Sequence, residues 1–145
     1  VDGVRVVGDD LKLPEMQAEG VIYAFNGIGS TGGSKARRRV FELVSGMGFE
    51  FPRIIHPSAV VAASSSLGEG VTVMANATVN TGATIGSNVI VNTGAIVEHD
   101  CMVGDHAHIA VGLACGDQER VIDEIRRVGA GIFKLADGAL SPGGI

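Results

Sequence analysis

Written in sixes, residues 56–109 read HPSAVV, AASSSL, GEGVTV, MANATV, NTGATI, GSNVIV, NTGAIV, EHDCMV and GDHAHI, from His56 to Ile109. The sixth position is Val61, Leu67, Val73, Val79, Ile85, Val91, Val97, Val103 and Ile109, nine aliphatic side chains at a strict period of six. The fourth is Ala59, Ser65, Val71, Ala77, Ala83, Val89, Ala95, Cys101 and Ala107, all small or β-branched. Aliphatic residues are roughly a third of an ordinary sequence, so nine matches in one register arise by chance about once in 10⁴ trials. The fourth and sixth positions lie two apart and therefore share one face of an extended segment. A bend after each short strand closes a triangular coil every three hexads, and successive coils stack as parallel strands. The aliphatic column then fills the prism and the small column fits beside its corners. Glycine and asparagine at positions such as Gly82, Gly86, Asn88, Asn92 and Gly94 fall at the bends. The expected fold is mainly β, a parallel β-helix of about three coils over 56–112. An ordinary β-sandwich is the alternative that this period disfavours.

The flanking segments follow other rules. Val4–Asp10 and Gly20–Gly29 read as short buried strands, with a helical turn over Leu13–Ala18 between them. Beyond the glycine-rich GIGSTGG, an amphipathic helix carries Val40, Phe41 and Val44 and ends at Gly46 or Gly48. Strand, glycine-rich turn and helix make half of a βαβ unit, so 1–55 is expected to be a partial α/β domain whose turn can take phosphate. Arg37, Arg38 and Arg39 are candidates to meet that phosphate, against a solvated helix face. Residues 113–145 break the hexad. A short helix is expected from an Asp117 cap through Gly129, with Val121, Ile122, Ile125 and Val128 as its apolar stripe, followed by an irregular tail.

Composition excludes several classes. The chain has 145 residues, 46% hydrophobic and 19% charged, which fits a packed domain rather than a disordered one. No apolar run reaches the ~18 residues of a membrane span. A net charge of −5 opposes nucleic-acid binding, which needs a basic face. Two cysteines, Cys101 and Cys115, and no signal peptide suit a reducing, cytoplasmic setting. Glycine numbers 22 and aromatics are only 4%, so the core must use small and aliphatic groups.

Histidine carries the candidate chemistry. His99 stands in Glu98-His99-Asp100 at the second position of its hexad and should project outward. A neighbouring carboxylate holds one imidazole tautomer and raises the basicity of the ring, as a general base near neutral pH requires. His56 before Pro57 reads as a structural corner, and inward-facing Cys101 reads as packing. His106 and His108, two apart, would share a strand face. With His99 they raise a zinc reading, which needs three converging ligands. No metal is expected, because Asn and Thr occupy the upstream region where β-helical carbonic anhydrases place a further histidine.

The segments HPSAVV and NTGAIVEHDCMVGDHAHIAVG resemble the left-handed β-helix (hexapeptide-repeat) acyltransferases that modify bacterial sugars. The similarity is to the branch of sialic-acid O-acetyltransferases and UDP-4-amino-sugar N-acetyltransferases. It extends through GFEFPRIIHPSAVV and AFNGIGSTGGSKARRRVFELV, covering about residues 1–112. The resemblance implies a left-handed β-helix and direct acetyl transfer from acetyl-CoA to a nucleotide-linked amino sugar or sialic-acid-type sugar. It implies that His99 is the base and that Asp100 increases its basicity. It implies that His108 contacts acetyl-CoA, with Gly116 as a second contact across a one-residue gap, and that Gly29 lies against the nucleotide sugar. It also implies a homotrimer with active sites between neighbouring prisms. Relative to that family, the chain reads as truncated before Val1 and divergent after Gly112. The rival reading is a non-catalytic trimeric scaffold that keeps the prism without turnover.

Overall fold

The computed structural model describes residues 3, 5–29 and 33–116, and beyond them the backbone at 120–121, 126–127, 133–134 and 140–141. Three four-stranded parallel sheets form the walls of a triangular prism. The first contains β1 (Ile54–Ile55), β4 (Thr72–Val73), β7 (Ile90–Val91) and β10 (His108–Ile109). The second contains β2 (Val60–Val61), β5 (Thr78–Val79), β8 (Ile96–Val97) and β11 (Ala114–Cys115). The third contains β3 (Ser66–Leu67), β6 (Thr84–Ile85), β9 (Met102–Val103) and β12 (Arg120–Val121). Every pairing in these sheets joins strands one coil apart, as in Thr72↔Ile90 and Ile85↔Val103. This is the parallel β-helix expected from the hexads, left-handed as the resemblance implies.

The two sequence columns form its interior. Val79, Val91, Val97 and Ile109 from the sixth position are fully buried, as are Ala77, Ala83, Ala95 and Ala107 from the fourth. Cys101 packs inside with them, as expected. Burying each such aliphatic side chain contributes about 1.5–3 kcal/mol. From Gly70 to Gly112 the bend after each strand uses a left-handed third position, including the non-glycine residues Asn76, Asn88, Asp100 and His106.

The prism continues past Gly112, where the sequence reading had it stop. Leu113 and Cys115 are buried in the fourth and sixth columns, and β11 pairs with β8. Arg120–Val121 is strand rather than the expected helix, in parallel register with Met102–Val103. The physical reason is the exposed edge of β9, whose backbone groups offer a ladder that a helix would leave unfilled. Arg126–Arg127, Phe133–Lys134 and Leu140–Ser141 form a separate antiparallel sheet where the helix end and the irregular tail were expected. The Asp117 cap, Ile122, Ile125, Val128 and Gly129 lie outside the described residues.

The N-terminal part differs more. Helix α1 (Leu13–Ala18), with Pro14 in its first turn, and helix α2 (Lys35–Gly46) match the expected spans. Phe41 and Val44 of α2 pack with Phe49 and Phe51 in a second core. Among the described residues, which do not include Val4, no strand forms within the two expected spans. Val6 is 75% and Phe25 57% exposed, and only Tyr23 pairs, in one parallel bridge to Glu50. An extended segment needs a neighbouring ladder, and the one at Glu50 reaches only the chain around Tyr23. The half βαβ unit is thus reduced to α2 and the turn before it. Among the described residues no helix is long and apolar enough to cross a membrane.

Candidate functional site

The prism has three corners, and the chemistry-bearing residues divide among them. The corner between the second and third sheets carries Glu98, His99 and Asp100, stacked over Asn80, Thr81 and Gly82 of the preceding coil. His99 projects outward, its side chain 47% exposed, and its Nδ1 lies 3.0 Å from Asp100 Oδ2. An Nδ1–H donated to the carboxylate puts the ring's lone pair on Nε2, the atom that accepts a proton. Asp100 turns back toward His99 because its backbone is left-handed, at φ +59°, with its N–H donated to the Thr81 carbonyl at 3.0 Å. Glu98 is engaged elsewhere and accepts from Asn80 Nδ2 at 2.8 Å. Gly116 reaches the same corner one coil further on, where its carbonyl accepts from Cys101 Sγ at 3.1 Å.

His108 lies on the first sheet, the wall opposite that corner. Its Nε2 is 3.0 Å from Asn92 Nδ2, so the amide donates and the imidazole accepts. One prism therefore brings His99, Asp100 and Gly116 together and holds His108 apart. Gly29 sits exposed in the turn before α2. Asn26 shapes that turn, accepting from Ile28 N at 3.2 Å and donating to the Arg37 carbonyl at 2.8 Å. The N-terminal part meets the prism at the corner between the third and first sheets, so Gly29 is not brought to His99 within one chain.

His106 and His108 do not share a face, contrary to the expectation. His106 occupies the left-handed turn position, edge-on to Phe41 with ring centroids 5.6 Å apart, and its Nδ1 meets Asn88 Nδ2 at 2.9 Å. Among the described residues no group of three His, Cys, Asp or Glu side chains could hold a metal ion. His56 is a corner residue as expected, its Nδ1 accepting from the Ser58 N–H at 3.1 Å.

The arginine run separates as well. Arg38 is exposed and pairs with Glu42 at 2.8 Å, a contact that holds the Glu42 carboxyl below its ordinary range. Arg37 is neither a solvated face nor a phosphate ligand on the surface. It is 1% exposed against the prism and donates from Nη1 to the Asn88 carbonyl. Burial pushes its pKa down to about 10. Asn80, Gly82 and Asn88 were not singled out from sequence as site or anchor residues, and Arg37 was read only as a surface candidate for phosphate. For the first two the signal was present, since Asn80 and Gly82 stand one coil, 18 residues, before Glu98 and Asp100.

No protein-family model and no curated protein matches the chain. Solved structures do. A variant of perosamine N-acetyltransferase from Caulobacter crescentus, in complex with CoA and GDP-perosamine, is 40% identical with a TM-score of 0.71. The match covers 83% of this chain and 59% of that one. The acetyltransferase domain of PglB from Neisseria gonorrhoeae FA1090, in complex with acetyl coenzyme A, is 36% identical with a TM-score of 0.72, over 83% of this chain and 57% of that one. PerB from Caulobacter crescentus, in complex with CoA and GDP-perosamine, is 27% identical with a TM-score of 0.63, over 86% of this chain and 76% of that one. The chain thus spans less than two thirds of the length of the first two.

Proposed function

We propose that this protein is an acetyl-CoA-dependent N-acetyltransferase acting on the amino group of a nucleotide-linked sugar, with His99 as general base. The carrying observation is the outward His99–Asp100 pair at 3.0 Å, on a β-helix similar to solved acetyltransferases that hold CoA and GDP-perosamine. His99 Nε2 takes the proton from the sugar amine as its nitrogen attacks the thioester carbonyl. The C–N bond forms, the C–S bond breaks, and the departing thiolate takes the proton from His99, so that CoA leaves as the thiol and the base is restored. Asp100 stabilises the imidazolium formed in that step. An amine attacking a thioester is a favourable reaction, so positioning and one base supply most of the catalysis.

His108 and Gly116 are the acetyl-CoA contacts in this proposal, and Gly29 the nucleotide-sugar contact. His108 occupies the wall opposite the His99 corner, so a site containing both is built from two prisms. That favours the homotrimer, with each site between neighbours. Two buried thiols, Cys101 and Cys115, suit a reducing, cytoplasmic setting.

The test is thiol release from acetyl-CoA in the presence of nucleotide-linked 4-amino sugars, with wild type beside His99→Ala. Amine-dependent CoA release that falls about 10²–10⁴-fold in the variant is expected. Turnover that survives the substitution overturns the base assignment. No release with any amino-sugar acceptor, in a chain that is folded, overturns the activity.

A further inference from the structure

His99 is flanked in the chain by two carboxylates, Glu98 and Asp100, and only the second is drawn to its Nδ1. The coil beneath supplies the reason. Asn80 holds Glu98 Oε2 at 2.8 Å. Gly82, at φ +70°, leaves open the space into which Asp100 Oδ1 fits. A Cβ at Gly82 would lie 3.3 Å from Asp100 Cγ and would overlap Oδ1 outright. Thr81, between them, takes the Asp100 N–H at 3.0 Å. All three groups come from one corner of one coil, and they meet the Glu98-His99-Asp100 corner because the hexads stack in register.

We propose that Asn80 and Gly82 are positioning residues that sort the two carboxylates around His99, Asn80 by holding Glu98 away from the ring and Gly82 by seating Asp100 against it. The inference rests on the reading of His99 as the base. Its physical consequence is broader, because the seat fixes the tautomer and basicity of the imidazole whether or not substrate is present.

Backbone strain alone would make Gly82→Ala costly, so the comparison is with a glycine that shares the strain and lacks the neighbour. Gly94 is at φ +65° in the equivalent turn of another corner, and a Cβ there meets nothing within 4 Å. Both alanines carry the same cost of a left-handed backbone, and only the one at Gly82 displaces Asp100.

The experiment is a proton and nitrogen NMR titration of His99 in the full chain, for wild type, Gly82→Ala and Gly94→Ala. Gly82→Ala is expected to lower the His99 midpoint by several tenths of a pH unit and to mix its tautomers, whereas Gly94→Ala leaves both as in wild type. Asn80→Ala, which adds no atom, is expected to raise the midpoint by freeing Glu98 to approach, and Glu98→Gln in the same chain restores it. A His99 titration unchanged in both Gly82→Ala and Asn80→Ala overturns the inference, and the second variant keeps it testable if the first does not fold. Because this readout needs no turnover, failure of the reading of His99 as base would show separately, as turnover that survives His99→Ala.

Discussion

The Arg37 guanidinium donates from Nη1 to the backbone carbonyl of Asn88, 51 residues away, and this bond joins helix α2 to the prism. The rest of the group is poorly satisfied. Among the described residues Nε and Nη2 of Arg37 and Oδ1 of Asn88 are buried without a hydrogen-bond partner. A buried cation lacking a carboxylate costs stability, and an apolar group of similar volume often replaces it at little loss. Arg37→Met should therefore be less damaging than Arg37→Ala, which also opens a cavity. The expected difference is about 1–3 kcal/mol in urea denaturation. Equal losses would mean that the charge itself anchors α2.

The same junction is pH-sensitive through His106. Burial and the Arg38 guanidinium, with Arg37 adding to them, hold its imidazole below the ordinary 6.5, while Asp105 and Glu42 oppose the shift. Between that lowered midpoint and 6.5 the unfolded chain binds the proton more readily than the folded one. Stability therefore rises with pH through this window and levels off above it. Protonation also sets a donor at Nδ1 against Asn88 Nδ2, which is itself a donor. His106→Asn, which tolerates the left-handed turn, should flatten the rise. Thermal melting from pH 5 to 8 checks this, and an equally steep profile in the variant would contradict it.

Inward and outward positions of the hexad should respond differently to truncation. Ile109 is fully buried in the prism, and Ile109→Ala is expected to cost about 2–5 kcal/mol. Thr84 is exposed on the outer side of β6, so Thr84→Ala should stay within about 0.5 kcal/mol. Denaturant midpoints measured on both variants decide the matter.

Asp100→Asn keeps the shape and the left-handed backbone and removes the charge that stabilises imidazolium. It should lower kcat/KM by about tenfold or more and move the acidic limb of the pH–rate profile. An unaltered profile would assign Asp100 to the turn alone.

Most of the prism was legible because its cause is local and repeated. Each hexad places an aliphatic and a small residue two apart, and the side-chain period of a strand sends both inward. Outward His99 and inward Cys101 followed from the same rule. The ends were misread because the column continues more weakly than its centre. Leu113 and Cys115 still fill it, yet a leucine in the small column disguised the register. The N-terminal strands failed for the opposite reason, since Val4–Asp10 and Gly20–Gly29 carry strand-like residues and gain that structure only from a paired neighbour.

The sequence by itself determined the β-helix, the outward direction of His99 and the span of both helices, since each depends on side-chain spacing within one turn or one hexad. The tertiary structure alone decided that Arg37 is buried under Asn88 while its neighbour Arg38 stays in solvent, because that depends on where α2 lands on the prism. It decided likewise that Gly82 makes room for Asp100 and that His99 and His108 stand on different sides. The first two relationships join residues 18 or more positions apart, which only packing onto the stacked coils brings into contact, and the third depends on which wall of the closed prism each half-coil reaches.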